Sequence, residues 1–310
     1  MVVDSSPNRT SHTPAIQFCC PLCQSPLIVG EKLWQCRGDN PQQRQHCFDV
    51  ARQGYINLLP VQQKNSKHPG DSEAAVAARQ RFLQAGFYQP LQEALADFCT
   101  ALLPRGSHPN WLDIGCGEGY YTERLLTLAP TNLVALDISK PAVMATAKRL
   151  RQASAANPTP STCRIYTLVA SASQVPLASR SVDVISSIFS PILPEEFHRL
   201  LSDKGFVVVA KPAANHLLEL RAGLFEQVVA HDSDKFIDTL APYMSLVKQI
   251  TIANTIALDA KQLSDLLTMT PYAYRAQPAR REALLHACEQ AGTLSVTTQF
   301  VIYGFQKNQV

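Results

Sequence analysis

The sequence predicts an α/β fold: a parallel sheet covered by helices, with a small cysteine-rich unit ahead of it. Three observations carry that prediction. From residue 110 onward, apolar β-rich runs alternate with helical stretches, the pattern of strand–helix–strand units. The first of these runs, Trp111-Leu112-Asp113-Ile114, passes into the glycine-rich turn Gly115-Cys116-Gly117-Glu118-Gly119 and then into a helix. Five of the nine cysteines (Cys19, Cys20, Cys23, Cys36 and Cys47) fall before residue 50, in a segment too short and polar to build a core of its own.

In chain order, residues 1–17 read as a disordered tail: the start is polar and lacks the apolar stretch of a secretory signal. Residues 18–60 form the cysteine-rich unit. Cys20-Pro21-Leu22-Cys23 is a C-x-x-C knuckle, and Cys36 with either His46 or Cys47 completes a four-donor set, Cys19 competing with Cys20. Thiolates and imidazole at this spacing suit zinc, and a closed four-ligand site is structural. Metal binding then supplies the folding free energy that the segment lacks. A redox knuckle would open a helix in a βαβ setting, whereas here Pro26 follows closely and no such setting surrounds it.

Residues 61–73, polar and containing Pro69-Gly70, read as a linker to a domain over 74–310. Helical periodicity over 73–103 (Ala77, Phe82, Leu83, Leu91, Leu95, Phe98, Leu102) breaks near Gly86 and Pro90. Helices are expected over 120–128, 141–151 and 194–201. Strands are expected over 133–136, 164–170, 183–189 and 206–210, with a turn at Lys204-Gly205 and a late strand within 294–306.

Glycines at 115, 117 and 119 let backbone approach a ligand closely. Asp137 closes the strand 133–136, about twenty residues beyond the loop, where a carboxylate can hold ribose hydroxyls. Asp113, two residues before the first glycine, would repel a diphosphate but suits a cationic ligand such as S-adenosylmethionine. The D-x-G-x-G-x-G pattern resembles motif I of class I (Rossmann-like) S-adenosylmethionine-dependent methyltransferases.

Composition agrees. No run of about eighteen apolar residues offers a membrane span. Cysteines scattered at 99, 116, 163 and 288 suggest a reducing cytoplasm. A net charge of +3 does not by itself indicate nucleic acid, although Lys32, Arg37, Arg44, Arg52, Lys64 and Lys67 make the first seventy residues mildly basic.

Longer motifs are more specific: Cys20-Pro-Leu-Cys23, His46-Cys-Phe-Asp49, Gly54-Tyr-Ile-Asn-Leu-Leu-Pro-Val-Gln62, Pro69-Gly-Asp-Ser72, Tyr88-Gln-Pro-Leu91, His216-Leu-Leu-Glu-Leu220 and Met269-Thr-Pro-Tyr-Ala-Tyr-Arg-Ala276. Together with the glycine loop they resemble the 23S rRNA (guanine-N1)-methyltransferase family, in its Gram-negative branch, over nearly the whole chain after residue 17. The resemblance implies a zinc ribbon that helps recognise an rRNA hairpin loop. Attached to it would be a domain that methylates N1 of a loop guanine, of the guanine-745 type. It implies zinc ligands Cys20, Cys23, Cys36 and His46, although residues 37–45 replace a tighter loop in close relatives. It implies cofactor contacts from Tyr88, Asp113, Gly115, Gly117, Gly119, Tyr121, Thr122, Asp137 and His216. It also implies a cytoplasmic enzyme that pairs as a homodimer around RNA.

The chemistry narrows further. Phe189-Ser190-Pro191-Ile192 follows the strand where adenine amino-group methyltransferases carry Asn/Asp-Pro-Pro-aromatic, and it lacks the amide or carboxylate that holds an exocyclic amine. No residue declares itself as acceptor of the guanine N1 proton. Ser171 or Gln174 is a candidate for adenine. Phe189, Tyr272 and Tyr274 are candidates for stacking on an unpaired base, and Arg275 for a phosphate. Two other readings remain at this level: a small-molecule methyltransferase with a purely structural zinc, and a non-catalytic RNA-binding protein.

Overall fold

The computed structural model describes residues 16–38, 45–63, 66, 69–128, 130–156, 163–228 and 234–309. Of the tail expected over residues 1–17, residues 1–15 lie outside them, as do the segment 39–44 with Arg44, and Lys64 and Lys67.

Strands β1 (Leu27–Ile28), β2 (Leu33–Cys36) and β3 (Cys47–Asp49) form a small antiparallel sheet. The main sheet has eight strands: β4 (Tyr55–Asn57), β5 (Asn110–Ile114), β6 (Asn132–Asp137), β7 (Arg164–Val169), β8 (Val182–Ile188), β9 (Leu201–Pro212), β10 (Met244–Leu258) and β11 (Leu294–Lys307). Their order is β10-β11-β9-β8-β5-β6-β7-β4, parallel from β9 to β4, with β11 antiparallel to both neighbours. The chain winds outward from β5 to β7 and then returns to place β8 on the other side of β5. That reversal opens a crevice at the carboxyl ends of β5 and β8, where open α/β sheets bind ligands.

Burial follows strand alternation. Trp111 and Leu133 pack on one face with Phe82, Leu91 and Phe300; Leu112 and Val134 pack on the other with Phe197, Val207 and Tyr303. The helical stretch 73–103 is indeed two helices, α1 (Glu73–Gln84) and α2 (Gln89–Leu102). Ser72 caps α1 by accepting from the Ala75 N–H, and Pro90 lies in the first turn of α2. Next come α3 (Tyr120–Leu126), α4 (Lys140–Ala156), α5 (Pro194–Leu200), α6 (Leu218–Leu224) and α7 (Lys235–Leu240). The last three are α8 (Ala260–Met269), α9 (Tyr272–Arg275) and α10 (Pro278–Ala291).

Two expectations change. Lys204-Gly205 is not a free turn but lies inside β9, where pairing jumps from Val182↔Leu201 to Val184↔Phe206, so residues 202–205 bulge out of register. The edge strand β10 did not emerge from the sequence, although its half-buried residues Ile250, Ile252 and Ile256 keep a period of two. In addition β4, from the cysteine-rich segment, pairs in parallel with β7 and extends the main sheet. The small sheet packs against that same end through Phe18, whose ring lies 4.5 Å from Trp34 and 4.8 Å from Tyr166.

Candidate cofactor site and metal centre

The glycine loop sits at the crevice. Gly115, Gly117 and Gly119 all have positive φ (71°, 57° and 83°). At Gly115 a Cβ would lie 2.4 Å from Ser190 Cβ, so glycine there lets the ends of β5 and β8 meet. At Gly117 an added Cβ would meet only Arg79 Nη1, at 3.5 Å, so the backbone here offers its surface to a ligand.

Two carboxylates bracket the loop. Asp113 is buried in β5 and accepts from Thr122 Oγ1 at 2.5 Å and Ser186 Oγ at 2.6 Å. Burial pushes its carboxyl up to about 6, against the pull of those two hydroxyls. Asp137, at the end of β6, accepts from the Gly117 N–H at 3.0 Å and the Ser139 N–H at 2.8 Å. Burial raises its pKa, and the two backbone donors lower it.

Next to Ser190, which touches the loop at Gly115, Phe189 begins an aromatic cluster. Phe300 on β11 lies 4.9 Å from Tyr88, 4.5 Å from His216 and 5.5 Å from Phe189, ring to ring; Phe189 is 6.1 Å from Tyr121. His216 Nδ1 accepts from the Gln299 N–H at 3.2 Å, which leaves the proton on Nε2, 3.5 Å from Tyr88 Oη. Tyr88 packs in the core and presents its hydroxyl to the site side by side with that histidine. Phe189 has φ 56° and is 40% exposed. A bulky residue in the left-handed region is an outlier that its surroundings must enforce. Ser190 enforces it: its hydroxyl donates to the Ile114 carbonyl at 2.8 Å, and its own carbonyl accepts from Lys211 Nζ at 2.6 Å.

Other candidates make different contacts, although Tyr272 packs on the same core as Tyr88 and Phe300. Gln174 accepts from Gln63 at 2.5 Å, and Ser171 caps the short turn that follows it. Tyr272 is half-buried against Phe225, while Tyr274 is 77% exposed. The sequence reading missed Arg79, Glu118, Ser186 and Phe300. Arg79 had a signal: it lies three residues from both Val76 and Phe82, within the apolar stripe of α1.

The cysteine-rich segment gathers Cys20, Cys23, Cys36 and His46, with all donor atoms within 4.8 Å of one another. His46 Nδ1 is 3.6 Å from both Cys20 Sγ and Cys36 Sγ. Tetrahedral zinc with S and N ligands spaces its donors by roughly 3.5–3.8 Å, so the set fits that ion. The knuckle closes through Gln24, at φ 62°, whose N–H donates to the Cys20 carbonyl at 2.8 Å. The Cys36 N–H donates to the His46 carbonyl at 3.0 Å, which holds these two ligands side by side on β2 and at the start of β3. Cys47 is exposed, and the Cys19 N–H donates to the Pro176 carbonyl; neither joins the cluster.

Residues 18–67 match the family model described as RlmA, N-terminal, a zinc ribbon, and residues 112–205 match that of a methyltransferase domain. Fold and sites together define a class I S-adenosylmethionine-dependent methyltransferase carrying a structural zinc ribbon. The chain is 32% identical over 303 residues to a candidate 23S rRNA (guanine-N1)-methyltransferase of Micromonospora griseorubida, spanning 92% of this chain and 96% of that one. It is 33% identical over 284 residues to the 23S rRNA (guanine(748)-N(1))-methyltransferase of Streptomyces fradiae, spanning 90% and 94%. It belongs to the 23S rRNA (guanine-N1)-methyltransferase family. Among solved structures, the YcgJ protein of Bacillus subtilis aligns at a TM-score of 0.48 and 13% identity, over 70% of this chain and 100% of that one.

Proposed function

We propose that this chain methylates N1 of an unpaired guanine in a hairpin loop of 23S rRNA, with the zinc ribbon of residues 18–60 gripping the RNA. Residues 61–73 join that unit to the catalytic one, 74–310. S-adenosylmethionine, when bound, supplies an electrophilic methyl group on a sulfonium. The observation that carries the reading is the crevice itself, where the glycine loop meets Ser190 and the Phe189–Phe300 aromatic pair lies next to it.

Asp137 takes the ribose hydroxyls, its orientation fixed by the Gly117 and Ser139 N–H groups. Asp113 supplies negative charge beneath the cationic end of the cofactor; Thr122 and Ser186 hold its carboxylate in place. Tyr88 and His216 wall the site near the reacting centre, with Tyr121 beside them. Phe189 presents an exposed ring at the mouth, on which a splayed guanine can stack. Ser190 turns its hydroxyl inward to Ile114, so residues 189–192 present no side-chain amide or carboxylate to an exocyclic amine. A ring nitrogen is therefore the better nucleophile, brought in line by positioning, and its N1 proton passes to solvent as the new N–C bond forms and the S–C bond breaks. Paired guanine hides N1, so a loop is the accessible target.

The work belongs in the cytoplasm, where thiols stay reduced; none of the described cysteines is joined in a disulfide. None of the described helices is long and apolar enough to cross a membrane. We extend the reading to a homodimer that embraces the RNA. Primer extension on 23S rRNA, with and without the gene, tests the activity and locates the guanine.

A further inference from the structure

The residues assigned to the cofactor include two carboxylates, Asp113 and Asp137, and no permanent cation. S-adenosylmethionine brings a carboxylate of its own, and a carboxylate taken out of water needs a counter-charge or several donors.

Arg79 on α1 is placed to meet it. Its Nη2 donates to Asp71 at 2.5 Å and to the Met269 carbonyl at 3.3 Å, which pins one arm of the guanidinium. The other arm, Nη1, points to the glycine loop: it is 3.6 Å from Glu118 Oε2 and 3.5 Å from the point a Gly117 Cβ would occupy. Asp71 is itself held. Its carbonyl accepts from Ser139 Oγ at 2.7 Å, and the preceding Gly70, at φ 80°, lets that turn lie against Ser139. A second observation lies in the same region. The hydroxyl of Tyr121, within electrostatic reach of Arg79 and Glu118, is buried and makes no hydrogen bond among the described residues. Leaving such a group unpaired is unfavourable, so its retention points to a partner that arrives with a ligand.

We propose that Arg79 is the counter-ion of the cofactor's α-carboxylate, with the Tyr121 hydroxyl as a second donor and Asp71 as the residue that orients the guanidinium. The inference rests on S-adenosylmethionine as the cofactor. The sulfonium and ammonium of the same ligand answer the acids nearby, so the site reads a zwitterion from both ends.

Calorimetric binding to the intact, zinc-loaded chain tests this with three probes: S-adenosylhomocysteine, its methyl ester, and 5′-methylthioadenosine, which lacks the amino-acid end. In Arg79→Met, affinity for S-adenosylhomocysteine should fall at least about tenfold, the worth of a charged hydrogen bond. Affinity for 5′-methylthioadenosine should stay unchanged, which also shows that the variant is folded. The methyl ester should bind wild type and variant alike, and Asp71→Asn should show a smaller loss confined to S-adenosylhomocysteine. Equal affinity of both chains for S-adenosylhomocysteine would overturn the assignment. So would a parallel loss for all three probes, which would make Arg79 a scaffold residue. A wild-type chain that binds none of them would overturn the cofactor reading along with it.

Discussion

Asp113 is a carboxylate placed where water does not reach, and its protonation reports on folding. Its carboxyl sits at about 6 in the folded chain, burial being the main cause, against roughly 3.9 for a free aspartate. Between those values the folded state keeps a proton that the unfolded state has released. Stability from this group is therefore complete below about pH 4 and is lost as pH rises to about 6, by on the order of 3 kcal/mol. Asp113→Asn removes the titration. Urea denaturation from about pH 4 to 7 should show wild type losing stability relative to the variant as pH rises; parallel profiles would contradict the burial argument. The acids of this site were legible in the sequence because Asp113 and Asp137 end strands in register with a glycine loop. Tyr88 and His216 came only from the longer family motifs, since a tyrosine before a helix and a histidine in a turn carry no local mark. Phe300 was invisible because its role depends on β11 pairing antiparallel between β9 and β10.

At the scale of elements, the glycine loop works by letting β5 and β8 approach. Gly115→Ala places a Cβ against Ser190 at a backbone angle of φ 71°. It should lose roughly 2–5 kcal/mol, from left-handed strain plus overpacking. Gly106→Ala is the control: it has φ 70° but nothing within 4 Å of the added methyl, so only the strain of about 1–2 kcal/mol remains. Equal losses in the two variants would remove the close approach as the reason for glycine. Strands β5 to β8 were readable because each is a compact apolar run between turn signals. β10 escaped because alternate residues face solvent and its polar members (Gln249, Thr251, Asn254) read as loop. The bulge in β9 escaped because Lys204-Gly205 has turn chemistry, while register is decided by pairing with β8.

For the whole molecule, the ribbon is not a loose appendage. Phe18 pairs with Leu177, β4 extends the main sheet beside β7, and Cys20, Cys36 and Trp34 share a core with Leu168 and Ile185. The sequence placed a boundary near residue 60 on composition. It could not show a three-residue strand finding a parallel partner far along the chain. Stripping zinc with a strong chelator should therefore lower the melting temperature of the catalytic unit too, and shift Trp34 emission to the red as that ring meets water. An unchanged melt after verified zinc loss would mean that the two units are energetically separate. The central claim is the chemistry on RNA, and primer extension across 23S rRNA tests it most directly. A methyl at N1 blocks the Watson–Crick edge, so reverse transcriptase should halt one nucleotide before a single loop guanine in wild-type cells. The stop should vanish on deletion of the gene and return with its complementation. Identical extension products from both strains would contradict the account.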